Sequence, residues 1–286
     1  MTTLRPFFED VQRHYDLSDE FFRLFLDESM TYSCAYFEPA GISLEEAQAA
    51  KIDLSLGKLG LKAGQRLLDI GCGWGAAIRR AAERWGVRAI GLTLSRNQHA
   101  HVSRMAAERP DLRIEARLCG WEEFDEPVDR IVSIGAFEHF RAERFGAFFG
   151  RCRSILPADG RMLLHTIVWP ERADLEARGI EVTHESVLFA KFIQKSIFPG
   201  GQLVTPSVVR SHAEAAGFSV ERVQSLQPHY AKTLAIWAER LEAKRGEAIA
   251  AASAEVYETY MRYLTGCSRY FGSGHIDVCQ FTLTAG

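Results

Sequence analysis

One short phrase carries most of the chemistry that residue types and spacing alone suggest: Leu67-Leu68-Asp69-Ile70-Gly71-Cys72-Gly73-Trp74-Gly75. It sits where an apolar strand gives way to a helix. Glycines there allow a tight turn and a close approach of backbone to a ligand. A dinucleotide site would want glycines spaced G-x-G-x-x-G and an acid about 20 residues further on for a ribose. Here the spacing is G-x-G-x-G, and the next strand ends Gly91-Leu92-Thr93-Leu94-Ser95 without a carboxylate. Asp69, just before the turn, suits a ligand with positive charge, such as the ammonium and sulfonium of S-adenosylmethionine. A bare G-x-G is a weak signal. The full phrase in its strand–turn–helix setting is a strong one.

The elements that would position this turn follow from periodicity. Strands are expected at Arg66–Ile70, Arg88–Leu94, Arg113–Leu118, Arg130–Ile134 and Arg161–Ile167. Helices are expected at about Ala76–Trp85, Arg96–Ala107 and Glu143–Ile155. Strand then helix, repeated, predicts an α/β fold: a doubly wound, mostly parallel, seven-stranded Rossmann-like sheet with helices on both faces. Ahead of it, Asp16-Leu17-Ser18-Asp19 starts a helix through Phe21–Leu26. Ser43 with Glu46 forms a capping box for another helix to about Leu59. After Trp169 the alternation breaks. An apolar helix over Ser186–Phe198 ends at Pro199-Gly200-Gly201. A helix near Ser207–Ala216, a strand at Phe218–Leu226, long helices at His229–Ala243 and Glu247–Tyr270, and a strand at Ile276–Leu283 complete the chain. One domain over residues 1–286 is expected, with 1–60 as N-terminal helices covering the site and 170–205 as an inserted cap.

Composition excludes several classes. Of the 286 residues, 47% are hydrophobic and 25% charged, so the chain can bury a full core. The net charge of −3 gives no basis for nucleic-acid binding. No apolar run reaches a bilayer's width, and Met1–Asp10 lacks a signal-peptide core, so a cytoplasmic protein is expected. The six cysteines form no Cys-x-x-Cys pair, which argues against zinc and against a disulfide framework.

Along nearly its whole length the chain resembles the mycolic acid cyclopropane synthases, the mycolic acid methyltransferase branch of the cyclopropane-fatty-acid synthase family. The phrases that carry the resemblance are His14-Tyr15-Asp16-Leu17-Ser18, Thr31-Tyr32-Ser33-Cys34-Ala35-Tyr36-Phe37, Leu67 to Gly75, Gly91 to Ser95 with Gln98, and Gly120-Trp121. Ile134 to Phe140, Leu163-Leu164-His165-Thr166, Ile197 to Gly201, Gln227 to Ala231 and Tyr263 to Cys267 continue it in order.

The resemblance implies an S-adenosylmethionine-dependent enzyme that methylates a carbon–carbon double bond of a long acyl chain. By resemblance, Tyr32 and Ser33 close over the cofactor, and Asp69, Gly71, Cys72, Gly73, Trp74 and Gly75 line its methionine part. Thr93, Leu94, Ser95 and Gln98 hold its ribose, and Trp121 and Glu122 lie beside its adenine. An amide both donates and accepts, so Gln98 can serve a ribose diol where an acid is missing. Methylation of an alkene leaves a carbocation, which needs a dry pocket, aromatic neighbours and a base. The family uses a bound bicarbonate or carbonate ion. By resemblance its cradle is Glu138, His165, Tyr230 and the backbone near Cys34. Cys267 lines the site and Tyr15 faces the cation. On residue type alone, Glu138 reads as a helix-start carboxylate, His165 as a core histidine and Tyr230 as a packing residue.

Candidates for the acyl pocket are Phe21, Phe22, Leu24 and Phe25, and then Val187, Leu188, Phe189, Phe192 and Ile193, though ordinary core explains both stretches as well. The chain lacks the extra N-terminal domain of phospholipid-modifying relatives, which implies a long acyl chain on an acyl carrier protein. Arg144, Arg151, Arg153, Lys191 and Lys195 could meet an acidic carrier, and a solvated face explains them equally. A peripheral membrane contact is open, but neither apolar stretch has a dense Lys/Arg face. Two other functions stay open: a small-amine N-methyltransferase and a non-catalytic acyl-chain binder.

Overall fold

The computed structural model describes residues 4–6 and 17–286. Seven strands form one sheet: β1 (Arg66–Ile70), β2 (Arg88–Thr93), β3 (Ile114–Leu118), β4 (Arg130–Ile134), β5 (Arg161–Val168), β6 (Ser219–Ser225) and β7 (Asp277–Thr284). Their order is β3-β2-β1-β4-β5-β7-β6. The first five run parallel, and β7 inserts antiparallel between β5 and β6. Leu67, Leu68 and Ile70 are buried because helices cover both faces, which is why β1 reads as a continuous apolar run.

The chain winds outward from β1 in both directions, so the strand order reverses between β1 and β4. The crevice beyond the carboxyl ends of those two strands is where such a sheet binds ligands. The turn at Gly71 and the segment from Gly135 to Phe140 both emerge there.

Among the described residues the helices are α1 (Asp19–Arg23), α2 (Leu44–Gly57), α3 (Ala76–Trp85), α4 (Arg96–Glu108), α5 (Phe145–Ile155), α6 (Arg172–Ala177), α7 (His184–Ser196), α8 (Pro206–Ala215), α9 (Gln227–Ala243), α10 (Arg245–Ala251) and α11 (Ala254–Gly272). The capping box is present: Ser43 Oγ accepts from Glu46 N, and Glu46 Oε2 accepts from Ser43 N. One core side holds Ile52, Leu56, Ile78, Ala81 and Val102, and the other Phe145, Phe148, Phe149, Val209 and Ala213. None of the described helices is long and apolar enough to cross a membrane.

Three expectations are corrected. The single helix expected at Glu247–Tyr270 is two, α10 and α11. The chain breaks at Ala252, and Ser253 restarts it by accepting from Val256 N. The helix expected from Glu143 opens as a 3-10 turn, Ala142–Arg144, before α5. The segment after Trp169 contains a short helix, α6, that its sequence did not suggest.

Phe21, Phe22 and Phe25, for which core and acyl pocket were both open, fall in the core. All three are fully buried in a third core cluster with Tyr32, Trp74, Trp237 and Tyr260, and Leu24 packs against that cluster. Phe21 meets the Tyr260 ring at 4.9 Å, and Phe25 meets Trp237 at 6.1 Å. They join α1 to α9 and α11. In contrast, α7 buries none of its residues fully. It rests on α11 through Phe189, whose ring lies against Gly266 where a Cβ would collide with it. An Arg269–Glu185 ion pair at 2.6 Å and the Arg262 guanidinium 4.1 Å from the centroid of the Phe192 ring hold it as well.

Phe25→Ala should therefore act as a core truncation, costing about 3–5 kcal/mol. A denaturant titration should show a lower midpoint; unchanged stability with altered acyl preference would return Phe25 to the pocket.

Candidate active site

Two cavities meet at the switch point. The smaller, about 140 Å³, lies over the end of β1. The larger, about 1530 Å³, runs under α6 and α7 toward α9 and α11. Tyr32, Ser33, Gly135 and His139 line both, so they form the boundary between them.

The glycine turn builds the floor of the small cavity. Gly71 N and Cys72 N both donate to Leu92 O, at 3.0 and 2.9 Å, which locks the turn to β2. Gly71 has φ +85°, and a Cβ there would run into Ala136 Cβ. Only glycine allows the two turns to pass so closely. Asp69, Cys72, Gly73 and Trp74 also line the cavity. Gly75 does not. It caps α3 at φ +87°, and a Cβ there would come within 2.9 Å of Val102. With no side-chain cap on α3, its first N–H groups are left for a ligand.

The far wall comes from β2 and α4. Thr93 Oγ1 donates to Gln98 Oε1 at 2.8 Å, which engages the amide carbonyl and leaves the Gln98 Nε2 hydrogens for other acceptors. Thr93, Leu94 and Gln98 line the cavity, as do Trp121 and Glu122. Ser95 does not; it holds the segment in place, its Oγ accepting from Gln98 N. Glu122 is paired with Arg144 at 3.1 Å, and Arg144 also donates to Arg5 O. Those bonds fix Arg144 beside this cavity.

Asp69 is 2% exposed, and its Oδ1 has no hydrogen-bond partner. Burial pushes its carboxyl up to about 7, and the charge of Lys51 partly offsets this. Lys51, itself 1% exposed, is pushed by burial down to about 8, with Cys34, Asp27 and Asp69 opposing that shift. Its Nζ donates to Ser33 Oγ at 2.8 Å. One turn earlier in α2, Gln48 Nε2 donates to the carbonyls of Thr31 and Ser33 at 3.2 and 2.8 Å. Helix α2 thus pins the Thr31–Cys34 loop over the turn. Neither Gln48 nor Lys51 was expected at the site.

Five residues far apart in sequence line the large cavity together: Cys34, Glu138, His165, Tyr230 and Cys267. Tyr15, expected with them, lies outside the described residues. Glu138 Oε1 accepts from Ile167 N at 2.7 Å, while Oε2 is buried with no partner. Burial raises the Glu138 pKa, against the pull of that bond. Tyr230 is pushed well up by burial, then by Tyr263, Cys34, Cys267 and Glu138 around it. His165 is held well below its usual value by burial and by Lys51 and Lys58. Gln280 stands behind it, fully buried. Both thiols are driven upward by burial, so neither Cys34 nor Cys267 is a thiolate at neutral pH. Of the acyl-pocket candidates on α7, Val187, Phe189 and Ile193 line the cavity, and Leu188 and Phe192 do not. Among the described residues, no cluster of His, Cys, Asp or Glu could hold a metal.

The sequence profile described as mycolic acid cyclopropane synthetase matches residues 2–281. The chain belongs to that family. It is 58% identical to cyclopropane mycolic acid synthase 1 of Mycobacterium tuberculosis over 280 residues, 98% of each chain. The structure of the cyclopropane synthase MmaA2 of Mycobacterium tuberculosis superposes with a TM-score of 0.96 at 57% identity, covering 98% of this chain and 99% of that one. Mycolic acid cyclopropane synthase CmaA1 complexed with SAH and CTAB gives 0.95 at 57% identity, covering 98% and 99%. Coclaurine N-methyltransferase shares the fold at 21% identity and a TM-score of 0.80. As a member of the mycolic acid cyclopropane synthetase family, the protein is an S-adenosylmethionine-dependent methyltransferase, and the small cavity has the features that cofactor needs. It offers a glycine floor, an unpartnered buried carboxylate oxygen for a cation, and an amide donor on the opposite wall.

The Asp69 shift has a definite sign. Folding stability linked to a raised carboxyl pKa is present below the ordinary 3.8 and is lost as pH rises through about 7. A cation bound beside Asp69 favours the carboxylate, so binding on the acid side of that value should release a proton. Calorimetric titration of S-adenosylmethionine in buffers of different ionisation enthalpy should detect it. Asp69→Asn should abolish the buffer dependence; its persistence would assign the proton elsewhere.

Proposed function

We propose that the protein transfers a methyl group from S-adenosylmethionine to a carbon–carbon double bond of a long acyl chain. The product is a cyclopropane, or a methyl branch with an adjacent oxygen function if water captures the cation. The observation that carries this reading is the meeting of the two cavities at Tyr32, Ser33, Gly135 and His139, with Glu138, His165 and Tyr230 all on the acyl side. The cyclopropane mycolic acid synthase names of its relatives support the same chemistry.

When bound, the cofactor supplies an electrophilic methyl group on a sulfonium. The chain's own residues do the rest. The Thr31–Cys34 loop, held by Gln48 and Lys51, separates the cofactor from bulk water and aligns it with the acyl cavity. Tyr32 at the boundary, and Tyr230 and Tyr263 in the larger cavity, offer electron-rich rings, with Tyr32 Oη 3.3 Å from Tyr263 Oη. Closing the ring requires one proton to leave the transferred methyl. Bicarbonate, if bound, would supply the base. The Glu138 carboxyl, with one oxygen unpartnered and its pKa raised, can share a proton with that anion rather than repel it. The Tyr230 hydroxyl, on the same cavity, would donate to it.

The acyl chain occupies the large cavity, delivered on an acyl carrier protein. Arg172 and Lys191 of the cap line the cavity and offer positive charge to such a carrier. A small amine would leave most of a 1530 Å³ space empty, which disfavours the N-methyltransferase alternative.

Incubation with S-adenosylmethionine and an unsaturated long-chain acyl carrier protein should add one CH₂ to the acyl chain by mass spectrometry. Methylation of amines with none of acyl chains would overturn the proposal. Glu138→Gln should keep S-adenosylhomocysteine affinity and lose about 10²–10³-fold in turnover. Turnover at the wild-type rate would remove Glu138 from the proton path.

A further inference from the structure

His165 and Gln280 face each other across the β5–β7 pairing. Gln280 Nε2 lies 3.2 Å from His165 Nδ1. A neutral imidazole carries its proton on one nitrogen or the other, and ring position alone does not say which. The surroundings of Gln280 do. One end of its amide is 2.5 Å from Lys58 Nζ, which also donates to Gln224 Oε1 at 2.7 Å. An ammonium only donates, so the end facing Lys58 must be the carbonyl oxygen. The other end is then the NH₂ group. One of its hydrogens goes to Ser55 Oγ at 2.9 Å, because the Ser55 hydroxyl uses its own hydrogen on Lys51 O at 2.8 Å. The second hydrogen is left for His165 Nδ1, which must accept it.

We infer that Gln280, oriented by Lys58, fixes His165 as the Nε2–H tautomer, making both residues positioning residues for the reaction. The functional half of this inference rests on the acyl-side anion site proposed above. Its chemical content is specific. His165 presents a single N–H to the large cavity, in a direction set by β7. It donates to an anion there and does not accept the proton that leaves the substrate, which falls to Glu138 and the anion. The neutral state agrees with the burial of His165 and with the two lysine charges beside it.

The test is ¹⁵N NMR of the His165 ring in the full-length protein, assigned by comparison with His165→Gln. The wild type should show a protonated Nε2 and a bare Nδ1 at neutral pH. Gln280→Glu replaces the donor with an acceptor of the same shape, so the proton should move to Nδ1 or the ring should become imidazolium. Lys58→Met, at a half-buried site, frees the amide to rotate and should mix the two tautomers; it serves as a second variant if Gln280→Glu does not fold. A protonated Nδ1 in the wild type, or an undisturbed Nε2–H form in both variants, would overturn the inference. Turnover separates the two claims. Gln280→Glu should lose about 10–100-fold in kcat with KM held, the range seen for partners that orient metal-bound imidazoles. A shifted tautomer with full kcat would leave the tautomer assignment standing and overturn the anion site instead.

Discussion

The site depends on how closely two backbone turns pass at the centre of the sheet. The turn after β1 and the turn after β4 come together at Gly71 and Ala136, with no room for a side chain on Gly71. That approach does two things at once. It opens the small cavity on the β1–β2 side, and it places Glu138, two residues beyond Ala136, on the wall of the larger cavity. The distance between where a methyl would be held and where a proton would be removed is therefore set by backbone packing. Flexible side chains have little part in it.

A second level of order comes from α2. Gln48, Lys51, Ser55 and Lys58 recur at three- and four-residue spacing, so they fall along one side of the helix and its C-terminal cap. All are polar: Gln48 and Lys51 hold the Thr31–Cys34 loop, Lys51 also acts on Asp69 by its charge, and Ser55 and Lys58 meet Gln280 beside His165. Burying such groups is tolerable because each makes at least one hydrogen bond. Of the buried polar side-chain atoms left without a partner among the described residues, Asp69 Oδ1 and Glu138 Oε2 lie on residues that line the two cavities, and Gln48 Oε1, Trp237 Nε1 and Thr282 Oγ1 lie elsewhere.

This stripe also shows where sequence reasoning stops. The central strands were legible because burial on both faces leaves apolar runs, the edge strands β3 and β6 less so because they are polar and part-exposed, and the glycine turn was legible because backbone geometry restricts residue type. The capping box marked α2 correctly, but its buried side mixes polar and apolar residues, which erases the amphipathic signal that would have flagged it. Gln280 gave one faint sign, a polar residue inside the apolar run of β7. The Phe21, Phe22 and Phe25 run said that these rings are buried and could not say among what; the structure gives them to the core and not to the larger cavity. Glu138, His165 and Tyr230 look ordinary one at a time. Three separate elements bring them to one cavity, and only whole-chain resemblance could have grouped them beforehand.

The seat of α7 has a consequence for how such an enzyme can diverge. Phe189 rests on bare backbone at Gly266, so the depth to which the cap settles is governed by one missing methyl group on α11. His165, Glu138 and Tyr230 sit on β5, on the turn after β4 and on α9, none of which this contact touches. On the proposed acyl reading, acceptance of a bulkier or differently bent hydrocarbon can then be altered by remodelling α7 while Glu138, His165 and Tyr230 stay as they are. Descendants of one ancestral scaffold could part ways in the lipids they process and still inherit the same chemistry unchanged.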